Sequence, residues 1–251
     1  PVYYAVSAYN AGGSSALSSE TSSTPVPAKP TGIAAVAGIE ENTISWNAVA
    51  GATGYTLHYS ESTPVNTSDS SVNVGGTSYK HTSLDAAKTY YYAVIADGST
   101  GSSPLSKEAS AQPIPGAPTL TVGTSTDTTV TVNWNTVSGA AGSRLYKSFS
   151  SPVTTSDTAV VGGGNSHTET GLTSGNTLYF AMLSQNTIGT SGLSNEVSAT
   201  TVPTQPGTLV ASPKSSGGGI QTQWTASAGH DGYRLIYRIG SHSLSDILAS
   251  P

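Results

Sequence analysis

Cysteine is absent from this chain of 251 residues, and charge is scarce. The lack of thiols excludes disulfides, thiolate metal sites and thiol catalysis, although cysteine-free proteins occur in both oxidising and reducing compartments. Only 9% of the residues are charged, with 9 basic against 14 acidic side chains and a net charge of -5. Because nucleic acid is bound through a basic field, we expect no nucleic-acid partner. Arg234 and Arg238 share one face of a predicted strand, with Lys214 nearby, which we interpret as an ordinary solvated face.

Long apolar runs and helical patterns are missing as well. No uninterrupted apolar stretch approaches the roughly 20 residues that span a bilayer, so we expect no membrane span in this segment. Residues 1–10 lack the basic start and apolar centre of a signal peptide, and we expect any export signal to lie outside this segment. The chain is instead rich in Thr and Ser, with 28 Gly, 14 Pro, 13 Tyr and 3 Trp. This composition favours strands and turns whose aromatic side chains fill small cores.

The sequence repeats with a period of 88 residues. Its markers are a Pro-x-x-Pro pair, a Leu-Ser-x-Glu motif and a tryptophan. They begin at Pro27, Pro115 and Pro203, at Leu17, Leu105 and Leu193, and at Trp46, Trp134 and Trp224. The last tryptophan is displaced by two residues, which fall in a turn at residues 215–219. The period exceeds the roughly 20 to 50 residues of solenoid repeats, so each repeat is predicted to be a self-sufficient domain.

Within each repeat, large apolar residues alternate with polar ones, as they do along a half-buried strand. The inward-facing positions are predicted to form the structural core. They are Trp46, Tyr55, Leu57, Leu84, Tyr90 and Tyr92 in one repeat, Trp134, Leu172 and Phe180 in the next, and Trp224 and Tyr233 in the last. Short strands separated by Gly, Ser and Asp turns are typical of a β-sandwich.

These markers together resemble fibronectin type III domains: an opening Pro, a Trp on the second strand, Gly-Tyr-x-Leu-x-Tyr on the third, and Leu84 six residues before Tyr90. The resemblance covers the whole chain. It implies an all-β fold, a tandem and extended array of fibronectin type III-like (immunoglobulin-like) β-sandwiches. It also implies that Leu84 and Tyr90 form a tyrosine corner, in which the Tyr hydroxyl bonds a nearby backbone group. The next repeat has Leu178 in place of Tyr90 and Ser143 in place of Tyr55, so we expect it to lack that hydrogen bond and to be less stable.

The Pro pairs mark the predicted domain boundaries. We predict complete fibronectin type III-like domains over residues 27–114 and 115–202, the C-terminal part of such a domain over residues 1–26, and the N-terminal part of another over residues 203–251. A two-stranded piece is marginal alone in water, so we expect the parent protein to continue in both directions. Completion of the end pieces by a neighbouring chain is the alternative, but joining them would still lack the strand equivalent to residues 79–84.

No catalytic, metal or cofactor site is predicted. No two of the five histidines have the local pairing seen in many zinc sites. They are His58, His81, His167, His230 and His242. Neither a calcium-loop pattern nor a Gly-x-Ser-x-Gly elbow occurs, and Gly162-Gly163-Gly164 lacks the helix and Lys of a phosphate-binding loop. The candidate surface-binding residues are the outward-facing Tyr91, Tyr179 and His58, since aromatic side chains serve in recognition.

We therefore expect a structural spacer array without catalysis, in a stalk, adhesin or fibre component of an extracellular or cell-surface protein. The expected partners are other domains of the same longer chain, with self-association or a surface or carbohydrate ligand as further candidates. Low charge and abundant Thr, Ser and Gly resemble bacterial surface and secreted proteins that contain such repeats. Two alternatives stay open: a spacer module of a secreted polysaccharide-degrading enzyme, and a subunit of a self-assembling extracellular filament.

Overall fold

The structure, a computed structural model, describes residues 1–160 and 164–237, and this part of the chain contains strands, turns and loops without a helix. The predicted all-β class is therefore confirmed for the described residues. The chain divides into two compact units. Unit 1 comprises Pro1–Pro118, Thr136–Ser143 and Leu183–Gly192, and unit 2 comprises Thr119–Asn135, Arg144–Met182 and Leu193–Pro251. Gly162, Gly163, Arg238 and His242, which figure in the sequence predictions, lie outside the described residues.

Two short antiparallel strand pairs form the N-terminal segment. Their strands are β1 (Val2–Tyr4), β2 (Tyr9–Asn10), β3 (Gly13–Ser14) and β4 (Thr21–Ser23). Strand β1 pairs with β4, and β2 pairs with β3. Tyr4 corresponds in the repeat to Tyr92, yet Tyr4 is 58% exposed whereas Tyr92 is fully buried. The difference arises because no second sheet covers this segment within the described residues.

The first β-sandwich follows. Its strands are β5 (Ala34–Gly38), β6 (Glu41–Ser45), β7 (Gly54–Ser60), β8 (Ser70–Val74), β9 (Ser78–Thr82), β10 (Tyr90–Gly98), β11 (Gly101–Ser102) and β12 (Ala109–Ala111). One sheet has the order β5-β6-β9. The other has the order β11-β10-β7-β8, and β12 also pairs with β10. All these pairings are antiparallel. Successive side chains of a strand point to opposite faces of its sheet, so one face lies toward the core and the other away from it.

The second β-sandwich repeats this plan. Its strands are β13 (Leu120–Ser125), β14 (Val130–Trp134), β15 (Gly142–Ser148), β16 (Thr158–Val160), β17 (Ser166–Glu169), β18 (Thr177–Gln185) and β19 (Val197–Thr200). One sheet has the order β13-β14-β17, and the other has the order β16-β15-β18-β19. A register shift between Val122 and Ser125 interrupts the pairing of β13 with β14. The core between the sheets includes Leu145, Phe180 and Met182.

The described C-terminal segment contains one hairpin, formed by β20 (Val210–Pro213) and β21 (Ile220–Gln223). Its turn holds Gly217 and Gly218 at φ values of 74° and 71°. Residues other than glycine rarely adopt this left-handed backbone conformation. The repeat is two residues longer than the one before it, and the extra length therefore lies in a turn where glycine is favoured. The Lys214 amide donates to the Gly219 carbonyl at 2.9 Å and closes the turn.

Candidate functional site

The structure buries all six predicted core residues of the first sandwich, which pack in one cluster. In the second sandwich Trp134 and Phe180 are buried, whereas Leu172 is partly buried and packs against the edge of the cluster. In the last repeat Trp224 is half-buried and Tyr233 is 40% exposed. This differs from the predicted core position, because the described residues of that repeat supply a single hairpin and no facing sheet.

The three candidate surface-binding residues do not form one exposed site. Tyr91 and His58 lie on the outer face of the first sandwich, on neighbouring strands, since Tyr91 pairs with Ser60 and Ala93 pairs with His58. Tyr179 lies at the equivalent position of the second sandwich. Both tyrosines are half-buried, and His58 is only 5% exposed. His58 therefore lies on the outer face but is not available at the surface for binding, because this face is covered.

A loop provides the cover. Residues 61–69 leave β7, and the Val65 amide donates to Glu108 while Thr63 Oγ1 donates to the same carboxylate at 2.7 Å. Glu108 immediately precedes β12, which pairs with the edge of β10 opposite to β7. A loop that joins β7 to Glu108 must therefore cross the outer face of β10. Val65 is buried by this crossing, as is Ala93 on the strand beneath it.

The second sandwich repeats this carboxylate clamp, the contact of a Glu from the Leu-Ser-x-Glu motif with the crossing loop. Glu196 accepts from the Val153 amide at 2.6 Å and from Ser151 Oγ at 2.6 Å. Val153 is buried, together with Tyr146, which occupies the position of His58. The recurrence of both partners at the same spacing of 88 residues is the sequence signal from which the clamp was predictable.

The serine of the same motif, together with the serine three residues before it, has a second structural role. Ser106 Oγ accepts from the Val94 amide at 3.0 Å, and Ser103 Oγ accepts from the Ala96 amide at 2.9 Å. These serine hydroxyls satisfy buried amides of β10 beyond the end of its pairing with β12. Equivalent bonds recur after 88 residues, from the Met182 amide to Ser194 Oγ at 2.9 Å and from the Ser184 amide to Ser191 Oγ at 3.0 Å. The Leu-Ser-x-Glu motif therefore bonds both the neighbouring strand, β10 or β18, and the crossing loop of each sandwich.

The tyrosine corner is present in the first sandwich. The Asp85 amide donates to the Tyr90 hydroxyl at 3.1 Å, next to the crossover between the sheets. In the second sandwich Leu178 has no hydroxyl, and the turn before it is held differently. Thr201 Oγ1 accepts from the Asn176 amide at 3.0 Å and donates to the Thr173 carbonyl at 2.7 Å. A threonine from the end of the repeat thus supplies hydrogen bonds where the corner is missing.

Polar and aromatic groups meet on the inner side of the first sandwich. Asn42 Nδ2 donates to the Tyr92 hydroxyl at 3.0 Å, and that hydroxyl lies 3.2 Å from His81 Nδ1. Burial raises the pKa of Tyr92 to about 12 and lowers the pKa of His81. The His81 ring also packs against Tyr59, with ring centroids 4.4 Å apart, and against Tyr90 at 5.8 Å. Aromatic rings thus fill this end of the sandwich.

The equivalent positions of the second sandwich carry charge. Glu169 stands where His81 stands in the first sandwich, and its carboxylate accepts from Lys147 Nζ at 2.6 Å. His167 Nε2 lies 3.1 Å from the other carboxylate oxygen. Burial alone would raise the pKa of Glu169, but the hydrogen bonds from Lys147 and His167 outweigh it and hold the pKa below its usual value. A cavity of about 340 Å³ opens beside this triad.

The remaining candidate groups form no catalytic or metal site within residues 1–160 and 164–237. No three His, Asp or Glu side chains in these ranges are placed to hold a metal ion. His230 packs on Tyr233 with ring centroids 4.2 Å apart, and Lys214 and Arg234 are exposed. An open hollow of about 640 Å³ beside Trp224 is the uncovered face of the β20–β21 hairpin. Among the described residues, no helix is long and apolar enough to cross a membrane.

Comparisons with known proteins concern the fold. No family model matches the chain. The Kelch domain-containing protein SSO1033 of Saccharolobus solfataricus is 28% identical over 236 residues, which cover 90% of this chain and 31% of that protein. The chain thus spans about a third of the length of this curated relative.

Two solved structures that consist of fibronectin type III domains are similar to the chain. The FN1-FN3 domains of chicken CNTN1 are 19% identical, with 80% of this chain and 77% of that chain covered and a TM-score of 0.36. A two-domain segment of chicken tenascin is 18% identical, with 68% of this chain and 99% of that chain covered and a TM-score of 0.42. The antiparallel two-sheet architecture seen here is the one that fibronectin type III domains share with the immunoglobulin fold. The predicted class of tandem fibronectin type III-like β-sandwiches is confirmed.

Proposed function

We propose that this chain is a structural spacer array, without catalysis in this segment, in a stalk, adhesin or fibre component of an extracellular or cell-surface protein. The observation that carries the proposal is the use of the repeated polar residues. Glu108 and Glu196 hold loops, and Ser103 and Ser106 satisfy strand amides. The polar residues that recur every 88 residues are therefore those that hold the loops and strands of each sandwich in place. A sequence that repeats its folding contacts while its other polar groups differ suits a spacer.

A replacement experiment in the parent protein tests the proposal. Residues 115–202 are exchanged for an unrelated β-sandwich of equal length, and the activity of the parent at its own surface or substrate is measured. A spacer predicts that the activity is retained, because only length and folding matter. Loss of activity with a replacement that folds would contradict the proposal and would place a specific site in the exchanged repeat.

The two alternatives make different predictions. A spacer of a secreted polysaccharide-degrading enzyme requires a domain with paired catalytic carboxylates elsewhere in the full reading frame. A filament subunit requires the purified parent to polymerise, which electron microscopy shows as regular fibres. Monodisperse particles at high concentration would exclude the filament hypothesis.

A further inference from the structure

The second sandwich has a cavity where the first has aromatic rings. Four pairs of equivalent residues at this end of the two sandwiches differ, and the members of each pair are 88 residues apart. The pairs are Tyr59 and Lys147, Tyr79 and His167, His81 and Glu169, and Tyr90 and Leu178. The large rings of the first set pack against His81. Their replacement by smaller or longer, flexible side chains leaves the volume of about 340 Å³ unfilled in the second sandwich.

The walls of this cavity combine three kinds of surface. Leu172 and Leu178 provide an apolar floor, and Lys147, Asp157 and Glu169 provide charged groups. Phe149 lines the rim and is 66% exposed, although the chain has only two phenylalanines. The equivalent residue of the first sandwich is Glu61, so the fold does not require an aromatic ring at this position.

The charged groups are fixed in place by bonds that leave acceptor capacity free. Glu169 is held by Lys147 at 2.6 Å and by His167 at 3.1 Å. Asp157 Oδ2 accepts from the Thr154 amide at 2.7 Å and from Thr154 Oγ1 at 2.9 Å. A carboxylate has about four acceptor positions, and an ammonium has three donors. Each group therefore retains hydrogen-bonding capacity toward a ligand.

This combination selects among ligand classes. Two carboxylates against one ammonium disfavour an anion. Hydroxyl groups can donate to the carboxylates and accept from Lys147, while an apolar ring face packs on Phe149 and the leucines. A pyranose presents hydroxyls at its edge and C–H groups on its faces, and the cavity volume lies near the lower end of the roughly 300 to 1,000 Å³ typical of small-molecule sites.

We propose that the cavity between Lys147, Glu169 and Phe149 is a binding site for a neutral carbohydrate. The site goes beyond the spacer role, which does not depend on it.

Nuclear magnetic resonance titration of the whole 251-residue chain tests the site. The probes are four neutral trisaccharides, maltotriose, cellotriose, mannotriose and tri-N-acetylchitotriose, each added up to about 10 mM to detect weak binding. The expected result is that at least one of them shifts amides at residues 147–149, 157–158 and 169–172. The equivalent amides of the first sandwich, at residues 59–61, 69–70 and 81–84, should not shift.

Three variants define the contacts. Phe149→Ala should weaken binding roughly three- to tenfold, the size of an aromatic packing contact. Leu178→Tyr places in the cavity the ring that Tyr90 provides in the first sandwich, and should abolish binding. Glu61→Ala, the matched control, should leave the affinity unchanged. Amide spectra of each variant establish folding, and Phe149→Ala changes only an exposed side chain.

Several results would overturn the proposal. The first is the absence of any shift with all four saccharides. The second is saccharide binding that survives both Phe149→Ala and Leu178→Tyr in folded protein. The third is a shift of the cavity amides by an acidic trisaccharide, trigalacturonate, or by a lysine tripeptide, where none of the neutral probes acts.

Discussion

Removal of the Glu108 carboxylate should release the loop that crosses the first sandwich. Glu108 holds the Val65 amide and Thr63 Oγ1, and Val65 is buried by the crossing. Hydrogen bonds to a charged group contribute about 1.5–3 kcal/mol each when protected, but about 0.5 kcal/mol each at an exposed carboxylate such as Glu108, so its two bonds contribute about 1 kcal/mol. Partial exposure of Val65 adds about 1 kcal/mol. Glu108→Ala should therefore lower the free energy of loop opening and of unfolding by about 2 kcal/mol.

Amide hydrogen exchange measures this effect residue by residue. A loss of about 2 kcal/mol corresponds to roughly 30-fold faster exchange at the Val65 amide. Glu108→Gln keeps one acceptor oxygen and should give an intermediate rate. The Val153 amide, held by Glu196 in the second sandwich, is the internal control and should exchange as in the parent chain. An unchanged Val65 rate in Glu108→Ala, or an equal change at Val153, would refute the clamp.

Three further predictions concern single contacts. Tyr90→Phe leaves the Asp85 amide without its 3.1 Å partner and should cost about 1 kcal/mol in chemical unfolding of the first sandwich, whereas no loss would mean that water replaces the hydroxyl. Ser103→Ala orphans the buried Ala96 amide and should cost about 1–3 kcal/mol by the same assay, and a neutral effect would contradict the serine's role. The pKa of Glu169 is lowered in the fold, so its contribution is complete above the unfolded pKa of about 4.3 and is lost as pH falls through the folded pKa. Glu169→Gln should therefore flatten the acid limb of the stability of the second sandwich below about pH 5, and an unchanged limb would contradict the ion pairs.

The alternation along strands made the core accessible from sequence. Leu57 and Tyr92 could be placed between the sheets because the faces of a strand alternate at every residue, and this rule needs only local information. Trp224 and Tyr233 obey the same pattern without being buried. Periodicity indicates which face is apolar, and only the presence of a facing sheet decides whether that face is covered.

Contacts between distant segments were harder to derive. The pattern placed His58 on the outer face correctly, but its burial depends on a loop fixed by Glu108, some fifty residues later. Likewise, Leu178 in place of Tyr90 predicted a missing hydrogen bond, while the cavity also requires the changes at Lys147 and Glu169. Both features depend on several residues whose proximity is created by the fold. The burial of His58 could have been predicted from the sequence by noting that Val65 and Glu108 both recur 88 residues later, as Val153 and Glu196.

The central claim is that residues 27–114 and 115–202 each fold around a core of their own. Stretching of the whole chain between two handles in a single-molecule force experiment tests this most directly. Each repeat of 88 residues should unfold in a separate event that releases up to about 320 Å of contour length, since an extended residue spans about 3.6 Å. Two such events are predicted. A single event of about twice that length would contradict independent cores.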